Sequence, residues 1–235
     1  MNSINHQAID KTGIYTLGLW LTPVAMLALF GGMALLSQFI PPPSPAMTPA
    51  QVAEMYAARA VGIKLTGMLT IFTPALLAPM TAIISVLIWR SEGRNAPLAI
   101  TQIIAGVLTI GPFILSGLCW VVAAYRPDRD PNSIMLMNDL GWISLEMVTP
   151  PAMIQFCSVA IAILRDKGTT PFLPRWLAFY SFWCAVLFVP GLFVAFFVRG
   201  PFAWNGILSF WVAAAAYGTW LLAMAWQCGK SVRQG

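Results

Sequence analysis

DLGWISLEMVTPPAMIQFCSVAIAIL, residues 139–164, is the stretch that decides the fold. Apart from Asp139 and Glu146 it carries no charge. It is long enough to cross a bilayer, which takes roughly 17–25 residues of helix. Two of its features are unusual in a spanning helix. Glu146 puts an acid where a carboxylate is costly and normally faces a partner or a watery cavity. Pro150 and Pro151 lack the N–H groups that would have bonded the carbonyls of Glu146 and Met147. Side-chain and main-chain acceptors are thus predicted to lie uncovered at one level.

The same character extends in both directions. Of 235 residues, 59% are hydrophobic and 9% charged, against about 25% charged in an average soluble domain. The charges cluster and leave neutral runs at 12–53, 65–89, 95–125, 147–164, 176–198 and 200–229. These predict an all-α, multi-pass membrane bundle, one polytopic domain over 1–235. Its six transmembrane helices lie near 16–40, 63–89, 97–124, 140–164, 176–198 and 204–227. The first run is too long for the apolar part of a signal peptide, about 7–15 residues, and is expected to remain as a helix. Five spans hold proline (Pro23, Pro74 with Pro79, Pro112, Pro150 with Pro151, Pro190), which predicts kinked spans able to enclose a cavity. The small-residue pairs Ala28/Gly32, Ala78/Ala82 and Ala214/Gly218 are expected to mark close helix contacts.

Lys and Arg are divided between the two faces, eight on the face with both termini and five on the other. The positive-inside rule then puts both termini in the cytoplasm and the chain in the cell membrane. Trp89, Trp176 and Trp226 would form one aromatic belt, and Trp120, Tyr125, Trp142 and Trp204 the other. After span one, the extended Pro41-Pro42-Pro43-Ser44-Pro45 leads to Thr48-Pro49-Ala50-Gln51, a capping box with proline at the first helical position. A short interfacial helix with Val52, Met55, Tyr56 and Arg59 on one face is predicted there, read as a structural lid before a gate. Residues 125–133 alternate acids, bases and prolines and read as a rigid, self-paired loop. Asp128 and Asp130 there lack the glycine turn and terminal glutamate of a calcium loop.

Several chemistries lack their residues. The single histidine, His6, leaves no pair for haem or zinc. No phosphate cradle or nucleophile elbow occurs, so no cofactor is expected and the chain reads as a non-enzyme. Cys119, Cys157, Cys184 and Cys228 all fall within predicted spans and read as packing residues. No basic run suggests nucleic acid. Thr22-Pro-Val-Ala-Met26 recurs as Thr149-Pro-Pro-Ala-Met153, either a trace of an inverted repeat or two common Thr-Pro bends.

The candidate ligand or ion site therefore lies in span four. Asp139 and Glu146, two helical turns apart, share a face flanking Trp142. Lys64, Arg199 and Asn205 belong to the same side, and the break at Pro150 and Pro151 supplies carbonyls. In one reading Glu146 pairs with Lys64 or Arg199 and ties helices together. In the other it binds a proton, a cation or a polar substrate group in an outward-facing cavity.

Pro41-Pro-Pro-Ser-Pro45, Arg126-Pro-Asp-Arg-Asp-Pro131, Asn138-Asp-Leu-Gly-Trp142 and Gly200-Pro-Phe-Ala-Trp-Asn-Gly206 together resemble a family of uncharacterised bacterial six-span inner-membrane proteins. The resemblance covers most of the chain and implies no activity. Small-molecule or ion-coupled transport or binding near Glu146 is the leading expectation. An accessory or assembly subunit of a larger membrane complex comes next, and a lipid-modifying enzyme using Asp139 and Glu146 last. Expected partners are the lipid bilayer, a small molecule or cation, and a membrane-protein partner or second copy, with no nucleic acid.

Overall fold

Apolar helices of this length leave the main chain no water to bond, so each crossing must satisfy its own amides. The computed structural model describes residues 11–126, 128–168 and 171–234; His6 and parts of two loops fall outside them. Six segments are long and apolar enough to span a membrane: Tyr15–Leu36, Ala60–Glu92, Pro97–Tyr125, Pro131–Arg165, Arg175–Phe196 and Ile207–Ser231. Span one is α1 (Lys11–Gly31), closed by a π-helical turn, Gly32–Leu36. The lid helix α2 (Pro49–Ala58) follows, then α3 (Ala60–Glu92) and α4 (Pro97–Tyr125). Span four is divided into α5 (Pro131–Met147) and α6 (Pro150–Arg165). Span five is α7 (Arg175–Leu187), continued by 3-10 turns over Val189–Phe196. Span six opens with a π-helical segment, Ile207–Val212, and runs on as α8 (Ala213–Gln234).

Local chemistry sets the ends. The capping box of α2 is present: Gln51 N donates to Thr48 Oγ1 at 3.3 Å and Thr48 N to Gln51 Oε1 at 2.8 Å. Span four begins at residue 131, where 140 was expected. Asp130 caps it, accepting from Ser133 N at 3.1 Å, and Pro131 takes the first position. Capping thus extends the helix beyond its apolar run. The preceding loop is held differently from the acid–base pairing expected. Arg129 Nη1 donates to Val122 O at 3.3 Å, and Asp128 is exposed.

On the opposite face acids hold main-chain donors. Glu92 accepts from Leu98 N and Ala99 N at 3.2 and 2.9 Å, at the positive end of α4. Asp166 accepts from Gly168 N and Phe172 N at 3.0 and 2.9 Å.

Spans two and three meet closest at Gly67 and Gly117. A Cβ on either would lie 2.8 or 2.6 Å from the other's carbonyl oxygen, so only glycine permits this crossing. Of the expected small-residue contacts, Gly32 is one: its carbonyl accepts from Thr66 Oγ1 at 2.8 Å. Ala78 and Ala82 instead face outward, and a Cβ on Gly218 would meet nothing within 4 Å. Spacing alone does not say which face of a helix turns toward a neighbour.

The belt at the terminal face stands, with Trp89, Trp176 and Trp226 about half exposed. On the lid face the expectation fails for three tryptophans. Trp120 and Trp142 are fully buried and Trp204 nearly so. They join Phe39, Tyr56 and Phe210 in one of two buried clusters. The other, around Phe156, Trp220, Ile84 and Leu177, lies toward the termini. The four cysteines are free thiols, three of them buried.

Candidate functional site

The break in span four comes from its prolines. With no amide hydrogens at 150 and 151, α5 cannot pass into α6. Thr149 N turns back to Met147 O at 2.8 Å, so that carbonyl finds a local donor. The carbonyl of Glu146 faces span five, where a Cβ on Gly191 would lie 2.6 Å from it. Span five loses its α-helix at the same level, just before Pro190. Two interrupted helices therefore meet at this level.

The cavity at this level measures about 90 Å³. Its polar wall is Glu146, Thr149 and Thr109, and its rings are Phe30, Phe113, Phe188, Phe210 and Tyr217. Glu146 is 9% exposed. Among the described residues its carboxylate makes no hydrogen bond and no ion pair. A buried carboxylate needs a partner more than a neutral hydroxyl or amide does, and among the described residues this one has none.

Toward the lid face lie tilted and edge-on rings in mutual contact. Trp142 lies one helical turn from Glu146 and meets Trp120 at 4.9 Å, Phe39 at 5.5 Å and Phe210 at 6.3 Å between centroids. One turn further, Asn138 Oδ1 accepts from Tyr56 Oη at 3.2 Å, and Asn138 Nδ2 donates to Asp139 at 3.1 Å. This chain joins the lid helix to span four. Burial pushes the Tyr56 phenol well above its usual range, with Cys119 and Asp139 adding to the shift, so it stays a neutral donor.

Toward the termini a buried polar seam begins at Thr109. One turn on, Gly106 admits the Gln155 amide and Thr81, where a Cβ would come within 2.9 and 2.5 Å of their atoms. Beyond it Ser85 bonds Gln102 and donates to Ala99 O at 3.2 Å. Among the described residues Gln102 Nε2 and Gln155 Oε1 are buried without partners, as is Thr149 Oγ1 at the break.

Of the residues expected at the site, Glu146 alone lines the cavity. Asp139 lies in the Tyr56 network, and Trp142 in the aromatic plug. Pro150 and Pro151 form the first turn of α6. Lys64 is half-buried near the start of α3, Arg199 exposed beyond span five, and Asn205 half-buried beside Trp204. Among the described residues none of the three pairs with Glu146. Trp204 donates instead to Pro43 O at 2.8 Å, fastening the last loop to the proline-rich one. Sequence reasoning missed Thr149, Thr109, Gly191 and the five rings. Thr149 was legible as the residue before a double proline, but the rings come from four spans and carry no common spacing. The two Thr-Pro copies differ locally, since Thr22 sits within continuous α1 and Thr149 at the break. Comparison with protein-family models, with curated proteins and with solved structures finds no match.

Proposed function

We propose that this multi-pass membrane protein binds a small cationic solute at Glu146 and serves its transport across the cell membrane, with both termini in the cytoplasm. The observation that carries the reading is the buried carboxylate facing a cavity of aromatic rings, with no cation paired to it among the described residues. A positive ligand meets that need, and each ring facing it adds about 0.5–2 kcal/mol. The double helix break supports movement, because segments without continuous α-helix reorient at lower cost.

Glu146→Gln keeps the shape and removes the charge. It is expected to fold and to lose binding of butylamine, measured by calorimetry on purified protein, and butylamine uptake into proteoliposomes. Unchanged binding and uptake would sink the reading.

An accessory-subunit role draws support from Trp176, Phe179 and Trp183, which form an exposed stripe along α7 at 47, 59 and 62% exposure. Isolation from native membranes as a partner-free monomer would count against it.

A further inference from the structure

Beside the Glu146 cavity lies a second, larger space, an apolar groove of about 370 Å³ between α1 and α8. Met26, Phe30, Phe210 and Ala214 line both spaces, so these four side chains are what separates them. On its outer side the groove is walled by Trp211, Ala215 and Leu222, all exposed on the surface that faces lipid. Toward the lid face, by contrast, the cavity is closed by the buried rings of Phe39, Trp120 and Trp142.

We infer that the cavity is entered from the bilayer between spans one and six, and that its ligand is an amphiphilic amine. The ammonium sits at Glu146 and the hydrocarbon tail lies in the groove. The inference rests on the reading of Glu146 as a cation site. A cavity of about 90 Å³ holds a charged head but not a long chain, whereas the adjoining groove matches an extended tail in volume and polarity. The separating residues suit a gate. Met26 is unbranched and adapts its shape. Phe210 stands on the π-helical segment, a form of helix that recurs at functional sites and accommodates local rearrangement.

The test uses the full chain in lipid nanodiscs, with octylamine, butylamine and octanol as probes and affinity read by calorimetry. Gly218→Trp fills the groove without touching the cavity. Its Cβ has open space within 4 Å, so the variant is expected to fold. Octylamine affinity should fall about tenfold in it, the worth of roughly two buried methylenes, while butylamine affinity holds. Glu146→Gln should abolish binding of both amines, and octanol should not compete with either.

If Gly218→Trp binds octylamine as wild type does, the groove is not the tail site, and the Glu146 reading survives. If both amines bind Glu146→Gln normally, or neither binds wild type, the cation site itself is overturned. Competition by octanol would show that the tail alone is recognised and would overturn the amine assignment.

Discussion

At the residue scale the site depends on a glycine as much as on its acid. Gly191 lets span five lie against the Glu146 carbonyl, and a Cβ there would also come 2.6 Å from Thr149 Cγ2. Gly191→Ala must push the two broken helices apart. The expected cost is about 1–3 kcal/mol in denaturant unfolding, the range for overpacking a filled interior. Gly218→Ala, with nothing near its Cβ, serves as the control and should stay within about 0.5 kcal/mol of wild type. Glu146 itself was legible in the sequence because an acid inside an apolar run is conspicuous. Gly191 was not, because it is one of 18 glycines and only its neighbour across the bundle gives it meaning.

At the scale of elements, the break in span four should respond to its two prolines alone. Pro150→Ala with Pro151→Ala returns two amide donors to the helix. The residues from α5 to α6 should then form one continuous helix, with the amides near 148–151 slowed in hydrogen exchange. Amine binding should weaken with it, because the Glu146 carbonyl would turn back into the ladder and leave the junction with span five. Fast exchange in the double variant would mean that contacts with span five hold the break open. Helix identity, number and the capping of α2 followed from apolar run length and short-range chemistry. The ends of span four did not, because a cap at Asp130 carries a helix past the hydropathy boundary. The misplaced tryptophan belt has a similar cause. Trp120 and Trp142 face the bundle interior, and position along a span says nothing of direction.

At the scale of the whole molecule, six candidate crossings put the lid helix on one face and the start of α1 and the end of α8 on the other. The orientation proposed above is checked with cysteine at Ser44 on the lid face and at Ser91 on the terminal face. A membrane-impermeant maleimide added to intact cells should label Ser44→Cys and leave Ser91→Cys untouched until the cells are opened. The reverse pattern would invert the protein and turn its lid toward the cytoplasm. The four native thiols are free and mostly buried, so their background should be low.

Spans one and six are neighbours in space although they stand first and last in the chain. During synthesis, the 195 residues from Ser37 through Ser231 must follow span one before its partner is complete. At about 5–20 residues per second that takes roughly 10–40 s. Once span four has been made, the wall beside Glu146 stands open to lipid, and the carboxylate is shielded only when the last helix arrives. The final span thus acts as the closure for a site whose other walls its predecessors have already supplied.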